Sequence, residues 1–357
     1  MLSALRQEID RSLGSFLTRV RKEYRLHLVD PILYATIREF SLRKGKRIRP
    51  LLFLLSYLGY SPKGRRPTRS LYEASTCIEF LHNFMLIHDD IIDRSDLRRG
   101  RPTVHKILER TAASPDPARL GMDLAIIAGD IVYALAIDAF LSIDEDLQRK
   151  ERALKYFIQT AAFTAMGEFI DTVKGGEPLE KTTEKDVFLN YSLKTARYTF
   201  DCPLVTGAIL AGAREKEIRA LARMGLLTGQ AFQIQDDIIG IFATERSIGK
   251  SILSDLEEKK KTLLMTHAYR TLKGKKRDLF LKTFNKPQKS LRDLKVMRTI
   301  LSESGSLDYA LKALNTRVTQ AKKILGSLTM QKTCREQIET AIFHLFQQAE
   351  DIGKQYP

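Results

Sequence analysis

The chain has 357 residues, of which 43% are hydrophobic, so it can bury one large core or two smaller ones. It contains no Trp, 11 Pro and 20 Gly, a composition that favours a helical protein over a β-rich one. The formal net charge of +16 indicates an anionic partner, which could be nucleic acid, a membrane surface or a polyphosphate ligand.

Cys77, Cys202 and Cys334 lie far apart and form no CxxC pair, so we expect reduced thiols, no zinc site and a cytoplasmic location. The first 24 residues mix charged and apolar positions with helical period and lack the apolar run of a signal peptide. The most apolar stretch, 123–143, is interrupted by two aspartates. We therefore expect no membrane span and a soluble protein.

Apolar residues recur at helical spacing along nearly the whole chain. The clearest helical segments are, in order, 71–92, 151–173, 219–242 and 335–352. Clusters of Gly, Pro, Ser and charged residues predict loops at 61–70, 98–103, 111–121, 174–186 and 243–262. No loop resembles an interdomain linker, and alternating β patterns are missing. We expect a single all-α domain over residues 1–357, with ten or more helices.

One short pattern occurs twice in the chain. "FMLIHDDIID" at 84–93 and "AFQIQDDIIG" at 231–240 share an apolar approach followed by Asp-Asp-Ile-Ile. Both stand late in an apolar helix, and both precede a basic loop. The two copies are too far apart for a solenoid period, so the repetition indicates a repeated site and not a repeated fold.

Two of these aspartates are spaced to share one face of a helix. Asp89 and Asp93 are four residues apart, so their carboxylates lie one turn apart and repel each other. Carboxylates at this spacing suit Mg²⁺, which keeps several waters and commonly bridges to substrate phosphates. A single copy would more simply be a solvated helix end. Two copies predict two acidic clusters that face each other and hold Mg²⁺ ions bound to a diphosphate.

Basic residues near these motifs fit a diphosphate ligand, because arginine forks and lysine ammonium groups commonly hold phosphate oxygens. Each one alone would be an ordinary surface residue. The candidates are Lys46, Arg49, Arg98, Arg99, Lys194, Lys250 and Lys260.

The order of these motifs resembles one enzyme family. From about residue 40 to 265 the chain reads GKRIRP, LHNFMLIHDDIIDRSDLRRGRPTVH, KTARYT, and then GQAFQIQDDIIG followed by GKSILSDLEEKKKT. This set resembles the trans-prenyltransferases, or isoprenyl diphosphate synthases, and is most similar to archaeal-type geranylgeranyl diphosphate synthases. The resemblance implies the all-α isoprenoid synthase type I fold around a central active-site cavity. It also implies a homodimer.

The resemblance implies roles for individual residues. Asp89, Asp93 and Asp236 would bind Mg²⁺, three ions in all, with support from Asp90, Asp237 and Asp255. The allylic diphosphate would be held by Arg98, Lys194, Lys250 and Lys260. Isopentenyl diphosphate would be held by Lys46, Arg49, His82 and Arg99. Thr195 and Gln233 would line the reacting centre.

The implied reaction is ionisation, condensation and elimination. The allylic C–O bond breaks as the cationic groups stabilise the departing diphosphate, and the isopentenyl double bond attacks the resulting cation. A proton then passes to the released diphosphate. This account requires no side-chain nucleophile, and no convincing Ser–His–Asp or Cys–His arrangement is found in the sequence.

Two residues upstream of the first acidic pair are candidates for setting product length. Phe84 and Met85 lie about 6 to 7.5 Å below Asp89 along the helix axis. In the family, a bulky aromatic five residues before the first Asp acts as a floor for the growing chain. With Phe84 present and Met85 not aromatic, the resemblance favours a C20 product over C15, and both over long polyprenyl chains. Both residues could instead be plain core residues.

The sequence departs from the family pattern at three positions: Gly240, where many relatives have a third Asp; Glu168, where Gln is frequent; and Lys259, where Gly is common. The last puts the loop before Lys260 in question. Rival interpretations are a terpene cyclase, whose second motif is missing, and a noncatalytic regulatory subunit or a basic helical binding protein.

Segment 271–300 holds ten Lys and Arg against Asp278 and Asp293. The simplest interpretation is a solvated helical face and loop. The alternatives are attraction to an anionic membrane surface, giving a transient contact, and nonspecific binding of nucleic acid. Single-strand binding would need aromatic residues along the basic stripe, and none is evident. We expect no specific nucleic-acid partner.

Overall fold

More than ten α-helices make up the part of the chain that the structure describes, which confirms the all-α prediction. The structure is a computed structural model and describes residues 2–98, 100–111, 114–243 and 253–356, without the side chains of Ser254 and Asp255. The chain divides into two compact units. Unit 1 comprises Met1–Ala161, Tyr198–Ala222 and Leu328–Ala341, and unit 2 comprises Ala162–Arg197, Arg223–Ser327 and Ile342–Pro357. The single domain predicted over 1–357 stays a prediction.

The helices are numbered in chain order. The first eleven are α1 (Leu2–Glu23), α2 (Leu26–Val29), α3 (Pro31–Ser41), α4 (Ile48–Tyr60), α5 (Arg69–Ile92), α6 (Val104–Glu109), α7 (Pro117–Leu141), α8 (Leu147–Gly175), α9 (Glu184–Asn190), α10 (Cys202–Leu210) and α11 (Glu215–Phe242). The others described are α12 (Ser254–Glu257), α13 (Leu263–Thr271), α14 (Gly274–Asn285), α15 (Leu291–Glu303), α16 (Ser306–Ser327), α17 (Lys332–Phe343) and α18 (Gln347–Gln355). Short 3₁₀ turns span Leu179–Lys181 and His344–Phe346.

In unit 1, α5 and α7 lie antiparallel and pack along much of their length. Thr68 caps the start of α5 by accepting a hydrogen bond from the backbone N–H of Leu71, and α7 starts with Pro117 after the capping residue Asp116. A Cβ placed on Gly129 of α7 would lie 2.4 Å from the ring of His88 on α5. The missing side chain therefore allows α7 to approach α5 directly beside the first acidic pair.

The core of unit 1 forms where α1, α4, α5, α7 and α10 meet. Its largest fully buried side chains are Phe16, Phe53, Tyr57, Phe80 and Phe140. Burying such residues stabilises the fold by roughly 1.5 to 3 kcal/mol each. All three cysteines lie in described parts of the chain, where they are buried and form no disulfide.

The loop predicted at 98–103 contains a very short antiparallel ladder, the only strands within the described residues. β1 (Leu97–Arg98) pairs with β2 (Arg101–Pro102), with Arg98 opposite Arg101. Gly100 has φ +72, a left-handed conformation that glycine adopts at little cost. The ladder fixes the backbone of Arg98, six residues after the end of α5.

In unit 2, α13 packs against α9, α15 and α16, and α16 also packs against α18. The fully or nearly fully buried side chains include Phe280, Phe284, Met297, Leu301 and Leu314. Ser290 begins α15 with a capping box, in which the Ser290 hydroxyl and the Asp293 carboxylate each bond the other's backbone N–H.

Residues Tyr191–Asp201 form a π-helix between α9 and α10. In unit 2 this segment runs between two glycines. A Cβ on Gly167 of α8 would lie 2.5 Å from the backbone N of Lys194, and one on Gly229 of α11 would lie 2.2 Å from Cα of Ala196. Both glycines therefore allow helix backbones to touch at the KTARYT motif. Such wide helical turns are frequent at functional sites.

Helix α7 is long and apolar enough to cross a membrane, the only one among the described residues, with mean hydropathy 2.0 over its most apolar window. By length and composition it could therefore span a membrane, whereas the sequence led us to expect no such helix. Of that window, 44% is buried within the protein, and buried core helices meet the same criteria. The helix does not by itself indicate a membrane protein.

Candidate active site

The first acidic cluster stands at the C-terminal end of α5. Asp89 and Asp93 are one helical turn apart and half-buried, whereas the side chain of Asp90 is only 1% exposed. Asp93 is the C-cap residue, and its backbone N–H donates to the carbonyl of Asp89. Neighbouring positions on a helix point about 100° apart, so only one residue of the Asp89–Asp90 pair can face outward.

Arg98 contacts both members of this pair. Its guanidinium donates to Asp90 at 2.7 Å and to Asp89 Oδ2 at 2.9 Å. Burial, reinforced by the charges of Asp89 and Asp93 and opposed by Arg98, raises the pKa of Asp90 to about 7. Three carboxyl groups therefore cluster at this helix end, and Arg98 contacts two of them. Oxygen donors at this spacing suit a hard divalent cation, so the residues present fit Mg²⁺.

The second acidic cluster repeats this pattern on α11. Asp236 is exposed and Asp237 is buried. Asp237 accepts hydrogen bonds from the Tyr191 hydroxyl and, at 3.0 Å, from the Gln233 amide. The Thr195 hydroxyl in turn donates to Gln233 Oε1 at 2.6 Å. In each motif the first Asp is thus more exposed than the second, which is buried within its unit.

Tyr191 links this network to a third segment. Its hydroxyl also accepts a hydrogen bond from the backbone N–H of Leu263, at the start of α13. Burial, together with the neighbouring Asp237 carboxylate, raises the pKa of Tyr191 well above its ordinary value. A neutral tyrosine therefore connects the π-helix, the second acidic motif and the segment that follows Lys260.

Lys194 lies in the π-helix and is paired with acids from α8. Its ammonium group is 2.9 Å from Glu168 and 2.8 Å from Asp171. Glu168 is one of the three residues that depart from the family pattern. Its charge pairs here with a lysine that is expected to bind diphosphate. Both contacts hold the Lys194 side chain against α8.

We expect Gly229→Ala to destabilise the protein by about 1 to 3 kcal/mol, because the new methyl would overlap the backbone of Ala196 and force the helices apart. The displaced segment carries Lys194 and Thr195, so the Michaelis constant for the anionic substrate should also rise. Urea unfolding and steady-state rates measure the two effects. The matched control is Gly14→Ala in α1, where a Cβ meets nothing within 4 Å. It should stabilise by about 0.5 to 1 kcal/mol, and equal behaviour of the two variants would contradict the prediction.

In unit 1, Arg49 and His82 meet on one aromatic ring. The Arg49 guanidinium donates to the Tyr198 hydroxyl at 3.1 Å and to Thr199 Oγ1 at 3.0 Å, and lies 4.7 Å from the Tyr198 ring centre. His82 stacks on the same ring, with centroids 5.8 Å apart. Lys46 is exposed in the loop before α4, which starts at Ile48.

The candidate chain-length residues lie about one turn before Asp89 on α5, and Phe84 contacts α7. Phe84 and Met85 are both half-buried. The ring of Phe84 lies 4.9 Å from that of Tyr133 on α7 and 4.7 Å from that of His88. Phe84 is therefore one member of an aromatic cluster and not an isolated floor.

The segment around Lys260 keeps the backbone geometry that a glycine would favour. Lys259 has φ 53, in the left-handed region. A non-glycine residue there costs about 1 to 2 kcal/mol. The lysine therefore strains the loop, although the backbone still adopts the left-handed conformation. Lys260 forms an ion pair with Glu258 at 2.9 Å. Arg99, Lys250 and the side chain of Asp255 lie outside the described residues.

Three tyrosines that contact the candidate site residues were not predicted from the sequence, namely Tyr133, Tyr191 and Tyr198. Tyr198 lies within the quoted KTARYT motif, so its position was visible, but its contact with Arg49 joins residues 149 positions apart. Tyr191 and Tyr133 stand outside the quoted motifs, and no local signal marks them.

Residues 30–301 match a family model described as polyprenyl synthetase. A geranylgeranyl diphosphate synthase of Methanosarcina mazei is 31% identical over 296 residues, which cover 83% of this chain and 84% of the relative. A geranylfarnesyl diphosphate synthase of Aeropyrum pernix is 33% identical over 289 residues, covering 79% and 83%. Among solved structures, geranylgeranyl pyrophosphate synthase from Corynebacterium glutamicum, complexed with isoprenyl diphosphate and magnesium, has a TM-score of 0.87 at 26% identity and covers 97% and 99% of the two chains.

Proposed function

Because this chain belongs to the polyprenyl synthetase family, we propose that it condenses isopentenyl diphosphate with an allylic diphosphate to give mainly geranylgeranyl diphosphate (C20). It is a transferase, a trans-prenyltransferase with the isoprenoid synthase type I fold. The observation that carries the proposal is the repeated acidic motif, in which Asp89 is half-buried and Asp236 exposed while Asp90 and Asp237 are buried. Dimethylallyl, geranyl and farnesyl diphosphates are the candidate primers.

The family is Mg²⁺-dependent, and the acidic residues described above suit that ion. Asp89 and Asp93 from the first motif and Asp236 from the second would hold it, and we propose three ions per active site. Asp90 and Asp237 support the ligands from inside their units, and Asp255 is proposed to act with them. When bound, Mg²⁺ supplies positive charge to the departing diphosphate oxygens.

The cationic residues are proposed to divide between the two diphosphates. Those assigned to the allylic diphosphate are Arg98, Lys194, Lys250 and Lys260. Those assigned to isopentenyl diphosphate are Lys46, Arg49, His82 and Arg99. The contacts of Arg49 and His82 with Tyr198 support grouping these two residues, because a shared aromatic ring orients both side chains.

In the proposed reaction, Arg98 and Lys194 stabilise the negative charge that develops as the allylic C–O bond breaks. Both are already aligned by carboxylates within their own units. The double bond of isopentenyl diphosphate then attacks the allylic cation, and the released diphosphate accepts the proton. Thr195 and Gln233 would orient the reacting ends, since the hydrogen bond between them fixes their rotamers.

We favour C20 as the main product because Phe84 is half-buried and packed against Tyr133, which limits the space below Asp89. The alternatives are farnesyl diphosphate and longer polyprenyl diphosphates. The relative from Aeropyrum pernix is a geranylfarnesyl diphosphate synthase, so related sequences differ in product length.

The test is incubation of the pure protein with Mg²⁺, labelled isopentenyl diphosphate and each of the three primers, followed by mass analysis of the products. We expect extension of at least one primer, with C20 as the main product. Complete absence of extended prenyl diphosphate would remove the catalytic proposal and favour the noncatalytic regulatory subunit or the basic binding protein.

We propose that the chain forms a homodimer, as expected from the family resemblance. In support, α8 exposes Ile158, Met166, Phe169 and Val173, and an apolar row of this kind is commonly covered by a partner. Sedimentation velocity should give the mass of a dimer. Phe169→Lys should shift it toward a monomer, whereas Leu279→Lys, at an exposed apolar residue outside α8, should not. A monomeric wild-type protein would end this proposal.

We further propose a cytoplasmic enzyme that contacts an anionic membrane surface transiently through segment 271–300. Three of its ten basic residues are committed to backbone carbonyls, namely Arg277, Lys289 and Arg298. The others are exposed, and so are Leu279 and Leu291 in the same segment, a combination that suits a lipid interface. Cell fractionation tests the location. Vesicle binding tests the contact, and equal binding to neutral and anionic vesicles would exclude charge attraction.

A further inference from the structure

Arg47 stands between two residues assigned to isopentenyl diphosphate, Lys46 and Arg49, yet its side chain points the other way. Lys46 is exposed and Arg49 is half-buried. The side chain of Arg47 is only 4% exposed. Three basic residues within four positions thus have different surroundings, and the sequence "KRIR" does not distinguish them.

Every nitrogen of the Arg47 guanidinium donates to a protein oxygen. Nε donates to Asp10 at 2.8 Å and Nη1 donates to Glu79 at 2.5 Å. Nη2 donates to the backbone carbonyls of Arg43 at 2.9 Å and Ser41 at 3.4 Å. Four of the five guanidinium N–H donors are committed in this way. The side chain is also buried, so Arg47 is not itself placed to bind a phosphate.

These partners come from the elements that surround the isopentenyl diphosphate residues. Ser41 and Arg43 lie at the end of α3 and just beyond it, where helix carbonyls lack partners. Glu79 is on α5, one turn before His82. Asp10 is on α1. All of them belong to unit 1.

The backbone of Arg47 also needs an anchor. It has φ 47 and ψ 36, the left-handed conformation, at the N-cap of α4. Few side chains adopt this conformation without support, because Cβ comes close to the neighbouring carbonyl. The guanidinium contacts hold the chain in this turn, and the turn sets the directions in which the side chains of Lys46 and Arg49 leave the backbone.

We propose that Arg47 and Glu79 form a positioning pair that fixes the loop 42–47 against α5, so that Lys46, Arg49 and His82 converge on the diphosphate of isopentenyl diphosphate. This inference rests on the proposed function. Glu79 is 7% exposed on its side chain, so its charge inside the unit depends on Arg47. Loss of either partner frees the loop without removing any ligand.

The test uses the full-length protein and Arg47→Asn, because asparagine tolerates the left-handed turn but cannot reach Asp10, Glu79 and two carbonyls. We expect the Michaelis constant for isopentenyl diphosphate to rise about 10- to 100-fold, the range typical for a residue that orients a ligand-binding group. The constant for the allylic primer should change less than about threefold. Glu79→Gln should act in the same direction.

A double variant distinguishes a positioning pair from two residues that act independently. Arg47→Asn with Glu79→Gln should raise the constant for isopentenyl diphosphate no more than the stronger single variant does. The matched control is Arg65→Asn, which breaks another arginine pair with a mostly buried glutamate of unit 1, Glu145. It should lower stability and leave both Michaelis constants unchanged.

Unchanged binding of isopentenyl diphosphate in a folded Arg47→Asn variant would overturn the proposal, as would parallel increases for both substrates. If Arg47→Asn does not fold, Arg47→Lys keeps the charge but not the fork, and it must show the same selective increase. If the wild-type protein extends no primer, calorimetric titration of isopentenyl diphosphate still compares it with the variants. The failure of this inference and that of the proposed function are thus distinguishable.

Discussion

Asp89→Asn should reduce the rate of prenyl transfer by about three orders of magnitude or more. Asparagine keeps the shape of the side chain and removes one negative charge from the pair with Asp93. Metal-assisted charge stabilisation contributes several kcal/mol to such a reaction, and 1.36 kcal/mol corresponds to a factor of about ten in rate. Incorporation of labelled isopentenyl diphosphate at a series of Mg²⁺ concentrations measures the effect.

The control for this variant is Asp96→Asn, which removes the same charge seven residues further along the chain. Asp96 is exposed and forms a peripheral ion pair with Lys106 at 3.3 Å. Its loss should change the rate less than about twofold, since exposed pairs contribute roughly 0 to 1 kcal/mol. Circular dichroism should show both variants folded. A rate within tenfold of wild type for Asp89→Asn would exclude this residue as a principal metal ligand.

Phe84→Ala should shift the product distribution toward longer prenyl chains, because it removes the ring that limits the space one turn below Asp89. The structure adds a second element to this prediction. Tyr133 contacts the Phe84 ring at 4.9 Å and remains in place in the single variant. We therefore expect Phe84→Ala to add about one five-carbon unit, and Phe84→Ala with Tyr133→Ala to lengthen the product further.

Mass analysis of products made from one primer at fixed substrate ratio measures this shift. The matched control is Tyr72→Ala, which removes a half-buried aromatic ring from the same helix three turns earlier. It should leave the C20 fraction unchanged. Unchanged chain length in the double variant would show that both rings are ordinary core residues.

The helices could be predicted because apolar periodicity extends through them. The segments 71–92 and 219–242 fall within α5 and α11, and both end with the acidic motif, as the near-repeat indicates. The shared face of Asp89 and Asp93 also follows from helical geometry, since positions four apart lie one turn apart on the same side. Local sequence thus carries much of the architecture and the position of the acidic residues.

The environment of the basic residues could not be predicted in the same way. Arg47 and Arg49 have the same chemistry and are two positions apart, but Arg47 is buried and paired with Glu79 inside unit 1, whereas Arg49 contacts Tyr198. That difference depends on α1, α5 and the KTARYT segment, which are distant in sequence. The same holds for segment 271–300, where Lys289 is buried and bonded to carbonyls.

The two glycines that border the π-helix have a consequence for how this sequence can change. The atoms that a methyl on Gly167 or Gly229 would meet are backbone atoms, the N of Lys194 and Cα of Ala196. A smaller neighbouring side chain cannot make room for it, so no single second-site substitution compensates. If both positions are randomised in a library, the active variants should therefore carry glycine at each. A variant with another residue there should be active only if further substitutions shift a whole helix.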